Sequence, residues 1–258
     1  MLALVGILPS IMWLVIGNRL PREQAANVID DDLLPTSEYG KRLAFGGEGQ
    51  GYGPTTGLIL SADEMLKYTY GEFPFQSLDQ LLDLVIDNTD FSLEKPLNVV
   101  DIGSGCGRLC LYMAMTTNWR VSGIEILGGL HSVAIRARDE ATQRCWLEKS
   151  EVNDSACGQL SLKLGTAGEF PEILSTADIL FTYSTAFDHE GFDTRVGGLI
   201  LSTEWNEMLT CRCKPGCIAI TIDRALSPDF GWKPLARLEV HNREVAGSIG
   251  YIQKLERL

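Results

Sequence analysis

Apolar positions along this chain come in two spacings, and from residue 62 onward the two alternate. Leu78, Leu81, Leu82 and Val85 recur at helical period, so residues 77–86 read as a helix that Ser77 caps. Leu97, Val99, Val100 and Ile102 form instead a short apolar run, the pattern of a strand buried on both faces. An amphipathic helical stretch follows over 108–117, then a second apolar run at 121–124 and a long helix near 129–147. Further strands are predicted at 160–164, 177–183 and 217–222, with a helix at 199–210 before the last of them. The segments near 236–240 and 248–253 are β-like with no helix between them, so they pair antiparallel. Five strand–helix repeats and a terminal hairpin describe one α/β domain over residues 63–258.

The first 62 residues stand outside this alternation. Residues 1–17 are almost wholly apolar, and the first basic residues, Arg19 and Arg22, come after the run. A cleaved signal peptide places its positive charge before the apolar run, so that reading is set aside. A membrane anchor that leaves the rest of the chain in the cytoplasm, a core helix and the stub of an incomplete gene model fit equally. Residues 18–62 read as a connecting region, with acids at Asp30 to Asp32, a basic pair at Lys41 and Arg42, and glycines at 46, 47, 49, 51, 53 and 57. A flexible linker is the preferred account of the glycine-rich stretch, and a mobile lid over a site is the alternative.

The chemistry concentrates in residues 97–108, L-N-V-V-D-I-G-S-G-C-G-R. Asp101 ends the first strand of the motif. Gly103, Gly105 and Gly107 then let the backbone take positive φ close to a ligand, while the next helix aims its first N–H groups at the same place. Glu125 lies 24 residues after Asp101 at the tip of the second strand, where a βαβ unit presents an acid to ribose hydroxyls. A dinucleotide and S-adenosylmethionine are the two candidate cofactors; a dinucleotide site wants G-x-G-x-x-G, whereas this chain has D-x-G-x-G-x-G.

Composition narrows the partners. The chain has 258 residues, 45% of them hydrophobic and 22% charged, which excludes a disordered protein. Its 22 basic and 34 acidic residues give a net charge of −12 with no basic run, which argues against strong direct nucleic-acid binding. The seven cysteines are odd in number and lack scaffold spacing, so they read as reduced thiols in an intracellular compartment. Cys211, Cys213 and Cys217 have no fourth ligand at a suitable spacing, and no metal is expected. Asp188-His189-Glu190 reads as a solvated loop.

D-x-G-x-G-x-G and the G-I-E that ends at Glu125 resemble the first two motifs of the class I methyltransferases, whose Rossmann-like seven-stranded sheet closes with an antiparallel C-terminal hairpin. Tyr70-Gly71-Glu72, Gly168-Glu169-Phe170 and A-D-I-L-F-T-Y-S-T-A-F-D over 177–188 extend the resemblance, over roughly 66–258, to the disruptor-of-telomeric-silencing family of histone lysine methyltransferases. The resemblance implies an S-adenosyl-L-methionine site in which Tyr70 and Glu72 close over the cofactor. Asp101, Gly103, Ser104, Gly105 and Gly107 would line its methionine end, Glu125 would hold the ribose, and Glu169 with Phe170 would meet the adenine. At the fourth strand the family has N-N-F-A-F and this chain has Tyr183-Ser184-Thr185-Ala186-Phe187. Tyr183 and Phe187 are therefore the candidate residues on the acceptor side, Tyr183 offering a π face and a hydroxyl to a cationic group.

The resulting expectation is an S-adenosylmethionine-dependent methyltransferase acting on a protein substrate, with histone lysine in front. A non-histone protein or small-molecule acceptor is the alternative, and a non-catalytic cofactor-binding module the second. The family function implies the nucleus; membrane contact would come through residues 1–17. No general base is named, because burial of a lysine amine in an apolar channel favours its neutral form.

Overall fold

The structure, a computed structural model, describes residues 19–47, 70–92, 95–147, 159–242 and 247–256. The apolar segment at 1–17 and most of the glycine-rich stretch lie outside the described residues. Strands β1 (Asn98–Ile102), β2 (Arg120–Glu125), β3 (Leu160–Leu164), β4 (Ile179–Thr182) and β7 (Ile218–Ile222) run parallel, and β10 (Ser248–Leu255) pairs antiparallel with β7 on one side and with β9 (Trp232–Val240) on the other. They form one seven-stranded sheet in the order β3-β2-β1-β4-β7-β10-β9. This is the sheet expected of a class I methyltransferase. The chain leaves β1 toward β2 and β3, then crosses back to place β4 on the other side of β1. A crevice therefore opens at the carboxyl ends of β1 and β4, the topological switch point of an open α/β sheet.

Residues within β1 alternate between two cores. Val99 packs into the cluster on one face, while Val100 and Ile102 pack into the cluster on the other. Helices α3 (Phe75–Asp87), α4 (Arg108–Thr116) and α5 (Gly128–Gln143) cover the first face, and α6 (Pro171–Thr176) and α7 (Thr203–Arg212) the second. Helix α3 buries Phe75, Leu78, Leu81, Leu82 and Val85, the predicted stripe extended by one turn. Its start is fixed by Pro74, not by Ser77, whose hydroxyl donates to the His241 carbonyl at 2.6 Å.

Helix α4 departs from its prediction. Every residue from Leu109 to Met115 is buried, so the helix is apolar all round rather than amphipathic. Its outer face is covered by the stretch that reads in sequence as a connector. The described part of that stretch carries α1 (Arg22–Val28), a π turn (Ile29–Leu33), a 3-10 turn (Thr36–Glu38) and α2 (Tyr39–Gly47). Ala25, Ile29, Leu33 and Leu34 join the main core, and the Leu20 N–H donates to the Met115 carbonyl at 2.8 Å. Two acids of the Asp30 to Asp32 run pair with distant arginines, Asp30 with Arg108 and Asp32 with Arg144. Residues 19–47 are thus a layer of the domain.

Three smaller differences lie between β4 and β7. The predicted helix at 199–210 splits into strand β6 (Gly198–Leu201) and α7, because Leu199, Ile200 and Leu201 form a short apolar run that period alone does not assign. His189 and Glu190 belong to strand β5 (His189–Asp193), and β5, β6 and β8 (Arg224–Ala225) form a second sheet. Helix α5 ends at Gln143, short of the predicted 147.

Candidate active site

The crevice at the switch point holds a cleft of about 280 Å³. Tyr70, Gly103, Gly105, Glu125, Tyr183 and Phe187 line it, six of the residues singled out in the sequence. A void of about 30 Å³ adjoins it and is bordered by Glu72, Asp101 and Ser104 as well as Tyr70 and Tyr183. Apolar Ile102, Ile124, Leu127 and Leu130 complete the wall between β1 and α5.

The glycine turn is built by close packing. Gly105 sits at φ +56°, and a Cβ placed there would lie 2.6 Å from the Tyr70 ring, so only glycine lets the tyrosine cover the turn. Gly107 caps α4 at φ +75°, and a Cβ there would meet Ala134 of α5 at 3.1 Å. Gly107 does not border the cleft; it lets the two helices approach.

Two buried carboxylates flank the turn. Glu125 accepts the Gly105 N–H through Oε2 and the Leu127 N–H through Oε1, each at 2.7 Å. Burial raises its pKa, against the pull of these backbone N–H groups. Asp101 is only 3% exposed and accepts from Cys110 Sγ at 3.4 Å. Burial pushes its pKa up to about 7, with the Cys110 thiol opposing and the Glu125 charge adding to the rise. Neither acid is paired with a cationic side chain among the described residues. Two acids held in a low-dielectric pocket make a site that favours a cationic, hydroxyl-bearing ligand.

Tyr70 and Glu72 are fastened from the N-terminal layer. The Tyr70 hydroxyl is 2.7 Å from Glu72 Oε1 and 2.7 Å from Cys106 Sγ. Arg42 of α2 donates from Nε to Glu72 Oε1 at 2.7 Å and from Nη1 to the Pro35 carbonyl at 3.0 Å. Arg108 joins the same group, bonding to Asp30 and to the Phe73 carbonyl while its guanidinium lies 3.6 Å from the Phe75 ring centre. Arg42 lies in the region that sequence assigns to a linker, and nothing in its flanks marks it as part of the site.

The predicted adenine residues stand just behind the wall of the cleft: a Cβ on Gly165, which lines it, would lie 2.8 Å from Glu169 Oε2 and 3.1 Å from the Phe170 ring. Glu169 is exposed and closes a capping box, accepting the Thr166 N–H at 2.6 Å and the Thr166 hydroxyl at 2.9 Å. These bonds lower its pKa. Phe170 packs against the second core cluster. Gly165, Thr166 and Ala167 line that end of the cleft instead. The T-x-x-E spacing of a capping box was available in the sequence as a sign that Glu169 serves its own backbone.

On the opposite shore Tyr183 packs against Phe73 at 5.5 Å between ring centres, and Asn242 Nδ2 donates to its hydroxyl at 2.6 Å. Phe187 stacks on Trp205 of α7 at 4.6 Å and 18°. Trp205 and Asp188 also line the cleft, and sequence reasoning missed both as site residues. Ser184 and Thr185, the other replacements in the fourth-strand motif, are turned to structural use: Ser184 bonds to the Ile222 carbonyl and Thr185 to Asp223. Cys213 and Cys217 are buried and Cys211 is exposed, and no cluster of potential metal ligands occurs among the described residues. No helix among those residues is long and apolar enough to cross a membrane.

Comparison with curated proteins finds no match. Among solved structures the chain is similar to an RNA methyltransferase from Salinibacter ruber in complex with S-adenosyl-L-homocysteine, at 20% identity over 73% of this chain and 95% of that one, TM-score 0.48. It is similar also to magnesium protoporphyrin IX methyltransferase from Synechocystis with bound S-adenosylmethionine, at 15% identity over 89% and 97%, TM-score 0.45. The model of the family described as histone methylation protein DOT1 matches residues 62–224, well over half of the chain. The matched span runs from before Tyr70 through both acids and the glycine turn to β8. The chain therefore belongs to the DOT1 family of histone methylation proteins, and is a class I methyltransferase dependent on S-adenosylmethionine.

Proposed function

We propose that the chain methylates a lysine of a histone, using the cleft between the glycine turn and Tyr183. The observation that carries this reading is the convergence, in one cleft, of two buried acids on one side and Tyr183, Phe187, Trp205 and Asp188 on the other. Bound S-adenosylmethionine supplies a methyl group on a cationic sulfur. Asp101 and the turn from Gly103 to Gly105 would hold its methionine end, Glu125 its ribose, and the wall from Ile126 to Leu130 with Gly165 to Ala167 its base. Tyr70, latched by Glu72, roofs the turn and keeps water from it. The aromatic shore offers π density to a cationic amine, and Asp188 at the rim gives the same charge preference. The acceptor must arrive as a neutral amine, and the apolar aromatic lining favours loss of its proton.

Tyr183-Ser184, in place of the asparagine pair of the family, favours a second reading in which the acceptor is another protein or a small molecule. Methyl transfer from labelled S-adenosylmethionine to free core histones, nucleosomes and a cell extract separates these readings. The expected result is lysine labelling of free histones, with nucleosomes poorer because the net charge of −12 gives no grip on DNA phosphates. Labelling confined to other components of the extract would remove the histone reading and leave the methyltransferase. The nucleus is the compartment that the histone reading implies.

A further inference from the structure

The Tyr183 hydroxyl is held by a residue from the far end of the chain. Asn242 follows β9 and is 2% exposed. Its Nδ2 lies 2.6 Å from the Tyr183 hydroxyl and 2.9 Å from Ser248 Oγ. Ser248 in turn donates its only hydroxyl proton to Asp223 Oδ2 at 3.1 Å. Toward Asn242 it can only accept, so the amide atom that faces it is the nitrogen, and the two amide hydrogens go to Ser248 and Tyr183. The phenol oxygen accepts, and its own proton points away from Asn242. Asp223, which sets this polarity, is itself fixed by the Ile249 N–H at 2.8 Å and the Thr185 hydroxyl at 2.5 Å. With Phe73 against the ring and Asn242 on the oxygen, both rotations of the Tyr183 side chain are set before a substrate arrives.

We propose that Asn242 is a positioning residue for methyl transfer: through the chain Asp223–Ser248–Asn242 it fixes which way the Tyr183 hydroxyl presents itself to the cleft. The inference rests on the reading of that cleft as the site of transfer. A contact organised in advance shows in turnover rather than in cofactor affinity. Asn242→Asp keeps the volume and replaces the amide donor with an acceptor, which turns the phenol proton the other way.

The test pairs Asn242→Asp with Tyr183→Phe, assayed on free core histones. The expected result is a kcat about tenfold lower for Asn242→Asp, with KM for histone within about threefold and the affinity for S-adenosylmethionine unchanged. In the Tyr183→Phe background the same substitution should cost nothing further. An equal loss in both backgrounds would overturn the proposal, because Asn242 would then act only on the fold. A second readout needs no acceptor and no Asn242 variant beyond assignment. The side-chain amide resonances of Asn242 should move in Tyr183→Phe and again when S-adenosylhomocysteine is added to the parent. Resonances that ignore both changes would overturn the proposal even if core histones prove not to be the acceptor, an outcome that would by itself remove only the histone reading.

Discussion

The two shores of the cleft are made in different ways. The shore proposed for the cofactor takes its centre from one continuous stretch, β1–glycine turn–α4–β2, whose backbone N–H groups, positive-φ glycines and two buried acids fall within 28 residues from Asn98 to Glu125, with Tyr70 and Gly165 to Ala167 added at its edges. The shore proposed for the acceptor is assembled from side chains of four separated segments, at Phe73, Tyr183, Trp205 and Asn242. A site made by local backbone geometry has a fixed spacing that a sequence displays. A site made by tertiary packing has none.

The cofactor shore should fail first and hardest under a change of backbone. Gly105→Val places a branched side chain where the Tyr70 ring already lies 2.6 Å from an ideal Cβ, at a φ that such residues avoid. Cofactor binding should fall by more than a hundredfold while the far-ultraviolet circular dichroism stays that of a folded α/β protein. Retained binding would mean that the turn does not carry the ligand.

The next effect is on stability against pH. Asp101 holds its proton up to about 7 in the ligand-free fold, whereas the unfolded chain releases it near 3.8. Between those values the folded state binds more protons than the unfolded one, so its stability falls as pH rises, by up to a few kcal/mol. Urea unfolding from pH 4 to 8 should show this fall in the parent and a flatter profile in Asp101→Asn. Because a cation in the cleft favours the ionised acid, S-adenosylmethionine binding at pH 6 should release protons, read as a buffer-dependent binding enthalpy. An enthalpy independent of buffer would separate Asp101 from the cofactor.

A smaller effect tests the roof over the turn. Arg42→Ala strips the nearer of two arginine partners from Glu72 and should cost roughly 2–3 kcal/mol of stability. Glu72→Gln in the same chain should restore part of it, since the buried charge that has lost its nearer arginine is then gone. The substitution should also weaken cofactor binding several-fold, because Tyr70 loses its anchor. Thermal unfolding and calorimetry on the two variants check both statements.

How much of this was legible follows the same division. The strands at β1, β2 and β3, the turn and the positions of Asp101 and Glu125 could be read because period, glycine placement and acid spacing all report on neighbours in sequence. Arg42 was hidden in a stretch whose glycines and charges look like a linker, and only the burial of α4 on all sides reveals that something must cover it. Trp205 has no sequence signal of its own, because period runs Leu199 to Leu201, which belong to β6, into its helix. Asn242 carries no local signal at all, since its importance lies in a hydroxyl 59 residues away.

Calorimetric titration of S-adenosylmethionine into the parent, Glu125→Ala and Tyr183→Ala tests the two-shore account most directly. Loss of the charge-assisted bonds should weaken binding to Glu125→Ala by about 1–3 kcal/mol, while Tyr183→Ala stays within about threefold of the parent and loses turnover instead. Equal affinity in the parent and Glu125→Ala, or a loss of binding in Tyr183→Ala as large as that in Glu125→Ala, would contradict it.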